Sequence, residues 1–360
     1  MKRLFHYLIK KPIAWFLIAI PFAVAGEFFH WPPIWIFVFS ALGVIPLASY
    51  IGESTENLAH YTGPRIGGLL NATLGNAAEL IITIAAIQRG LLDLVKASIT
   101  GSILGNLLLV LGMSMVLGGL KNCSQNFDRK QAGNNAILLV LTVLTLLVPS
   151  LLSNSIGPET SIKVEALSVG VAVVMIVLYI LGLIYSLKFI SGPLTPDTAG
   201  ADHHKPVMSP TLALSLLGAS TIGVAVLSEI LVDSVEPVVE VLGISEFFIG
   251  VIFIPLIGNV AEHLVAVQMA SRNKMTLSVE IAVASSLQIA LFVAPVLVFT
   301  SLLLGHPLNL MFNTFELLAL IAGVLIAALV SADGESNWLE GAELLAMYVI
   351  LGLAFFLLPG

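Results

Sequence analysis

The sequence predicts an all-α polytopic membrane protein with about eleven transmembrane helices. Three observations predict it: 58% of the 360 residues are apolar, only 10% are Asp, Glu, Lys or Arg, and the mean hydropathy is +1.03. An average soluble domain carries roughly 25% charged residues, so a soluble globular protein is excluded. Long apolar runs recur along the whole chain, and a helix of about 20 such residues crosses a hydrocarbon core of about 30 Å.

The charged residues and the single cysteine exclude other classes of protein. The net charge is −7 and the basic residues are dispersed, so there is no cationic face for nucleic acid. Cys123 alone permits no intramolecular disulfide, and no Cys/His cluster predicts a soft-metal site. We therefore expect no bound cofactor and no nucleic-acid partner, and we leave oligomerisation open.

The apolar stretches are separated by Pro, Gly and charged residues, and they divide the chain into one N-terminal helix and two groups of five helices. We assign 1–33 to the N-terminal transmembrane helix, 34–188 to a first five-helix repeat, 189–210 to a cytoplasmic linker and 211–360 to a second five-helix repeat. The predicted spans are 12–30, 34–61, 65–88, 93–118, 133–152, 163–188, 211–233, 246–270, 276–303, 314–331 and 337–358.

Two segments allow a second interpretation. The first span has a basic start and the sequence Ala23-Val24-Ala25 before Gly26, which also fits a cleavable signal peptide. The aromatic residues that follow favour a retained span with an interfacial belt. The linker is polar and rich in Pro, which favours a hinge over a metal site at its pair of adjacent histidines, His203 and His204.

The basic residues predict the orientation of the chain in the membrane. If the N-terminus is cytoplasmic, only Arg89, Lys96 and Lys163 lie outside, and the other twelve Lys and Arg residues lie inside. This excess follows the positive-inside rule and also supports the number of spans. The membrane is the cell membrane if the chain is prokaryotic and a vacuole-like membrane if it is eukaryotic.

An internal repeat relates the two halves. Residues 71–111 match residues 254–294 at a constant offset of 183, which places Glu79 on Glu262 within the runs GNAAE and GNVAE. Shared Gly, Asn, Ala and Glu at one spacing is far more specific than shared hydrophobicity. The predicted topology makes the two Glu-bearing helices run in opposite directions. Such inverted repeats are typical of secondary transporters, which bind substrate near the bilayer midplane.

Glu79 and Glu262 are the predicted cation and proton carriers. Both lie deep in their spans, where a charged side chain costs at least about 2.5–3.5 kcal/mol and normally faces a cavity or a partner. No Lys or Arg is predicted deep in any span to neutralise them. Two facing carboxylates without a basic partner must hold either protons or a metal cation.

The residues before each Glu favour a hard cation. Gly75-Asn76 and Gly258-Asn259 weaken the helix there, so backbone carbonyls and Asn oxygens can point at an ion. An all-oxygen cage suits Ca²⁺, which takes 6–8 oxygens at about 2.3–2.6 Å, better than it suits Zn²⁺. We therefore assign Ca²⁺ to Glu79 and Glu262.

Further polar residues complete the predicted site. Ser102 and Asn106 share one helix face, although small residues such as Ser also serve close helix packing. His263 either packs beside Glu262 or tunes its protonation. The supporting ligands are predicted to be Gly75, Asn76, Ser102, Asn106, Gly258, Asn259, His263, Ser285 and Gln288.

Other acidic residues are expected nearer the span ends. Glu56 and Glu229 lie on corresponding helices of the two halves, and they are either hydrated interfacial residues or a vestibule that concentrates cations. Glu280 and Glu316 are expected near the membrane interface.

Proton coupling follows from the same two carboxylates. Burial and mutual repulsion favour their protonated form without metal, whereas a divalent ion favours the ionised form of both. Metal and protons then exclude one another. A protein that changes its accessible side only when the site is neutralised is a cation/proton antiporter.

These motifs resemble those of the Ca²⁺/H⁺ antiporter (cation/proton exchanger, CAX) family of the Ca²⁺/cation antiporter superfamily. The resemblance covers most of the chain, through GGLLNATLGNAAELI at 67–81, GSILGNLLLVLG at 101–112, IGNVAEH at 257–263 and SLQIALFVAPVLV at 286–298. It implies an eleven-helix inverted-repeat fold with Glu79 and Glu262 at the centre of the site. The chain is thus expected to exchange cytoplasmic Ca²⁺ for H⁺ by alternating access.

Three alternatives remain at this point. A Na⁺/H⁺ or other cation exchanger of the same superfamily would use the same construction, and a cation channel would lack strict coupling. An intramembrane hydrolase would need HExxH, a Ser/His pair or paired Asp residues within spans. Glu262-His263 has the wrong spacing for HExxH, and no Asp pair is expected to be buried, so we do not expect an enzyme.

Overall fold

The structure is a computed structural model that describes residues 12–158, 161–188 and 208–358, and the described chain is almost entirely helical. A 3₁₀ helix, Pro12–Ile18, leads into α1 (Ala19–Phe28). The first half continues with α2 (Pro33–Leu74), α3 (Ala77–Gln88), α4 (Leu92–Leu104), a π-helical segment (Gly105–Val110), α5 (Leu111–Asn122), β1 (Gln125–Asn126), α6 (Arg129–Ile156) and α7 (Ile162–Lys188).

The second half contains two π-helical segments, one before its broken helix and one after it. It contains α8 (Pro210–Asp233), α9 (Val235–Leu242), α10 (Glu246–Phe248), a π-helical segment (Ile249–Phe253), α11 (Ile254–Gly258), α12 (Val260–Ser271), α13 (Met275–Gln288), a π-helical segment (Ile289–Val293), α14 (Ala294–Leu304), α15 (Thr314–Val330), β2 (Glu335–Ser336) and α16 (Trp338–Phe356).

Breaks in the helices fall where the sequence weakens them. Gly63 has φ 81° and ψ 167° inside α2, a conformation that glycine adopts without steric cost, and the kink separates the two spans expected at 34–61 and 65–88. The chain breaks again at Gly75-Asn76, before α3, and at Asn259, where the axes of Glu246–Gly258 and Val260–Ser271 differ by 65°.

The helices of the two halves pack against each other rather than forming separate bodies. The long α2 packs along α8, and α5 contacts both α12 and α16. The short strands pair antiparallel, Gln125 with Ser336 and Asn126 with Glu335, which joins the turn after α5 to the turn before α16. The buried core between the halves is therefore shared, and it is where the two broken helices meet.

The fold class predicted from the sequence is confirmed. Among the described residues, eight helices are long and apolar enough to cross a membrane, and the bent pair Glu246–Gly258 and Val260–Ser271 makes a ninth if it is one span. The apolar helices Pro12–Phe28 and Thr314–Val330 are shorter. The count of eleven and the division into two repeats therefore stay predictions.

Two predicted features lie partly outside the described residues. The basic start of the first span and linker residues 189–207, with His203 and His204, are not described. The end of the linker is held on α2, because Tyr61 donates a hydrogen bond to the Met208 carbonyl at 2.8 Å and the Met208 amide donates to Asn57 at 3.2 Å.

Candidate cation-binding site

Both predicted carrier residues lie in the first turn of a helix that begins inside the protein. Glu79 is the third residue of α3, which follows Asn76, and Glu262 is the third residue of α12, which follows Asn259. The unpaired amides at a helix N-terminus carry a partial positive charge, which stabilises a nearby carboxylate. The helix breaks thus supply part of the neutralising field that the sequence does not supply as Lys or Arg.

Glu79 is almost completely enclosed, with 2% of its surface exposed. Its Oε1 accepts hydrogen bonds from the Ser102 hydroxyl and from Nδ2 of Asn259, the latter at 3.2 Å. Asn259 also donates to the Ser102 hydroxyl at 3.3 Å. Within the described chain, the second carboxylate oxygen, Oε2, is buried and has no hydrogen-bond partner, so it retains the capacity to bind a proton or a cation.

Glu262 is half-buried, and like Glu79 it contacts a serine of the following helix. Its Oε2 accepts a hydrogen bond from the Ser285 hydroxyl, which stands at the position that corresponds to Ser102. In both halves, the Glu thus accepts a hydrogen bond from a Ser of the following helix.

Each Gly-Asn break faces the Glu of the other half. A Cβ atom placed on Gly75 would lie 3.3 Å from Oε1 of Glu262, and one placed on Gly258 would lie 3.5 Å from Cβ of Glu79. The glycines therefore allow the two breaks to approach each other. Together with the Asn259 bond to Glu79, these contacts bring the two copies of the motif into one site.

The remaining supporting residues lie in the same region with unequal contacts. Asn76 donates to Oε1 of Gln288 at 2.7 Å, which crosses between the halves. In the described part of the chain, three of these supporting residues have a buried atom without a hydrogen-bond partner: Oδ1 of Asn76, Nδ2 of Asn106 and Nε2 of His263. Unsatisfied polar atoms are uncommon in protein interiors, and several together mark a place where a ligand, ion or water is bound.

The structure shows no ion pair between a described Lys or Arg residue and either carboxylate. Within the described residues, neither Glu79 nor Glu262 makes an ion pair, and Arg89 and Lys96 pair with Asp233 at 2.6 Å and Asp93 at 2.9 Å. Lys96 is nevertheless buried, with 8% of its surface exposed, near the start of α4.

The four other acidic residues expected nearer the span ends differ in exposure. Glu56 and Glu229 are exposed, which leaves both the interfacial and the vestibule interpretation open. Glu316 is buried in the first turn of α15, where Thr100 donates to it at 3.2 Å and Asn313 closes a capping box. Glu280 is also buried. These two residues were expected near the interface, and the hydrophobic pattern alone could not distinguish a hydrated helix end from one covered by neighbouring helices.

The donor set fits a hard cation as transported substrate. The described residues contain no group of three or more His, Cys, Asp or Glu side chains that could hold a metal ion. A cation would thus depend on two carboxylates together with hydroxyl and amide oxygens, which is an all-oxygen set of the kind that Ca²⁺ accepts.

Comparisons with known proteins agree with this geometry. The family model described as "Sodium/calcium exchanger protein" matches residues 32–188 and 212–357. The chain is 47% identical over 359 residues to a Ca²⁺/H⁺ antiporter of Aphanothece halophytica, covering 95% of each protein. It is 44% identical over 361 residues to the Ca²⁺/H⁺ antiporter ChaA of Bacillus subtilis, covering 99% of this chain and 100% of that one.

A solved structure also matches over nearly the whole chain. The structure of native YfkE superposes with a TM-score of 0.83 and 43% sequence identity, covering 95% of this chain and 100% of that chain. The resemblance to Ca²⁺/H⁺ antiporters drawn from the sequence motifs is thereby confirmed. This chain belongs to the sodium/calcium exchanger protein family.

Proposed function

We propose that this protein exchanges cytoplasmic Ca²⁺ for H⁺ across a membrane by alternating access, with Glu79 and Glu262 binding the cation and protons in turn. The observation that carries the proposal is the meeting of two matched helix breaks, each of which presents a carboxylate that no described Lys or Arg neutralises. The names of the relatives from Aphanothece halophytica and Bacillus subtilis support the same activity.

Ca²⁺ binding would use oxygens from both halves. Glu79 and Glu262 supply the negative charge, and the Ser102 and Ser285 hydroxyls already point at them. Asn76 donates its hydrogen bond to Gln288 through Nδ2, so its buried Oδ1 has no partner among the described residues and adds a further acceptor. A site with this many neutral oxygens has the coordination number and the flexibility that suit Ca²⁺.

Proton coupling would result from competition for the same two carboxylates. Without a cation, two neighbouring carboxylates out of water are stabilised by taking up protons, whereas a bound divalent ion requires both to be ionised. Either form removes the excess negative charge from the membrane interior. A conformational change restricted to these neutralised forms yields coupled exchange, because the charged, unliganded site does not move through the low-dielectric region.

The architecture that we propose is two inverted five-helix repeats, 34–188 and 211–360, joined by a cytoplasmic linker over 189–210 and preceded by one helix in 1–33. The excess of basic residues on one side supports a cytoplasmic N-terminus. The location is the cell membrane in a prokaryote and a vacuole-like membrane in a eukaryote. Downhill entry of protons would drive Ca²⁺ out of the cytoplasm.

Transport of ⁴⁵Ca²⁺ into inside-out vesicles tests the proposal. We expect an acidic lumen to drive uptake by the natural protein, and we expect both Glu79→Gln and Glu262→Gln to abolish it. Glu343→Gln is the matched control, because it makes the same chemical change at an exposed carboxylate of α16. Gradient-driven uptake that persists in either site variant contradicts the proposed roles, and uptake driven equally by a Na⁺ gradient would favour a sodium exchanger.

A further inference from the structure

The two halves of the site are not identical, because the repeat pairs Leu80 with His263, Asn106 with Ile289 and Gly105 with Gln288. The offset of 183 places Gln288 on Gly105, and Gln288 accepts a hydrogen bond from Asn76 at 2.7 Å. Gly105 has no side chain with which to do the same for Asn259, the counterpart of Asn76. Asn259 instead donates to Glu79 and Ser102. The absence of a side chain at 105 is therefore a specific departure from the symmetry of the site.

Neither of the usual structural reasons for glycine applies at Gly105. Its φ and ψ are −58° and −47°, which any residue adopts, so the backbone does not require glycine. Small residues in membrane helices normally allow another helix to approach closely. A Cβ atom on Gly105, however, would meet no heavy atom of the described chain within 4 Å outside its own turn and neighbours.

The open space at Gly105 is local, because its surroundings are tightly packed. Gly105 itself is buried at the start of a π-helical segment. One turn earlier, a Cβ atom on Gly101 would overlap the carbonyl oxygen of Val251. The adjacent Leu104 lies so close to α15 that a Cβ atom on Gly323 would be 2.6 Å from its side chain.

This space lies next to the polar cluster around Glu79. Residues three apart share a helix face, so Gly105 faces the same way as Ser102, whose hydroxyl contacts Glu79 and Asn259. The next residue, Asn106, is 1% exposed, and its Nδ2 has no hydrogen-bond partner in the described structure. A small polar molecule beside Gly105 would therefore have several partners, which is the condition for a stably bound internal water.

On the basis of the proposed Ca²⁺ exchange, we propose that Gly105 is a positioning residue that reserves space for a water molecule in the coordination shell of the bound cation. Ca²⁺ accepts waters among its 6–8 oxygen ligands. A methyl group at 105 would displace this water without replacing its oxygen, which weakens binding. A hydroxymethyl group would fill the same space and return an oxygen.

The test is Ca²⁺ binding to the purified full-length protein, measured by isothermal titration with Gly105→Ala, Gly105→Ser and the natural sequence. Gly218 provides the matched control, because it lies within helix α8 and is exposed, and a Cβ atom there also meets nothing within 4 Å among the described residues. We expect Gly105→Ala to raise the Kd for Ca²⁺ on the order of tenfold. Gly105→Ser should stay much closer to the natural value, and both Gly218→Ala and Gly218→Ser should match it.

The outcomes separate this inference from the proposed function. If the natural protein binds no Ca²⁺, the proposed function fails. If it binds Ca²⁺ and Gly105→Ala is indistinguishable from Gly218→Ala, the role of Gly105 is overturned. Failure of both Gly105→Ala and Gly105→Ser to yield monodisperse protein also overturns it, because open space at this position must accept one or two extra atoms.

Discussion

The two halves of the cation site share the Gly-Asn-Glu motif and a serine that contacts the Glu, but the two carboxylates are covered to different extents. Glu79 is 2% exposed and α3 buries seven of its 12 residues, whereas Glu262 is half-buried and α12 buries only Ala266 and Ala270. The α3 end of the site, toward Arg89, is therefore enclosed by protein, and the α12 end, toward Arg272, is less enclosed. A repeat with equivalent motifs can thus present its two carboxylates to different surroundings at the same time, as alternating access requires.

The matched serines test this comparison with the largest expected effect. Ser102→Ala removes a donor to an enclosed carboxylate and leaves Asn259 with one partner fewer. Ser285→Ala removes a donor to Glu262, which is less enclosed than Glu79. A hydrogen bond to a charged group is worth about 1.5–3 kcal/mol, so we expect Ser102→Ala to weaken Ca²⁺ binding by about tenfold or more.

Binding of ⁴⁵Ca²⁺ to the purified variants measures both serine effects under identical conditions. Ser285→Ala should lose clearly less affinity than Ser102→Ala. Equal losses would mean that the two carboxylates are equally shielded in solution, and the difference in burial would then have no energetic consequence.

Chemical accessibility tests the same difference directly. In a Cys123→Ser background, which removes the exposed native thiol, the Glu262→Cys variant should react several times faster than the Glu79→Cys variant with a membrane-impermeant thiol reagent. The expectation follows from the exposure of the two positions, because the reagent must reach the thiolate through water. Inside-out vesicles present the expected cytoplasmic side to the reagent. Faster labelling at 79 would reverse the comparison.

The ion pair at the closed end should have the smallest effect. Arg89, at the end of α3, binds Asp233, at the end of α8, at 2.6 Å, and the two side chains are 55% and 30% exposed. Exposed pairs contribute about 0.2–1 kcal/mol, so Arg89→Gln should change the labelling rate at position 79 by less than about fivefold. An increase supports loosening of the closed end, and high salt, which screens the charges of an exposed ion pair, should produce a similar increase in the natural protein. A decrease would contradict a role in closure.

Much of this arrangement could be predicted from sequence because it depends on local signals. The repeat at an offset of 183 identified Glu79 and Glu262, and the Gly-Asn pairs predicted where the helices break. The hydrophobic pattern also placed the long helices correctly, since a membrane-spanning helix requires a long apolar run.

The rest depends on contacts between distant parts of the chain. The bonds from Asn259 to Glu79 and from Asn76 to Gln288 join residues about half the chain apart, and no local pattern encodes them. The burial of Lys96 and Glu316 likewise reflects packing of α4 against α15. The helix N-termini next to both carboxylates could have been anticipated, because a break before each Glu necessarily exposes backbone amides there.

Proton release on Ca²⁺ binding tests most directly whether one pair of carboxylates serves both ions. Ca²⁺ is added to purified protein in weakly buffered detergent solution, and the released protons are measured with a pH indicator. We expect release from the natural protein under mildly acidic conditions, weaker apparent Ca²⁺ affinity as the pH falls, and loss of the release in Glu79→Gln and in Glu262→Gln. Tight Ca²⁺ binding without proton release, or release that survives in either variant, would contradict the shared use of this pair.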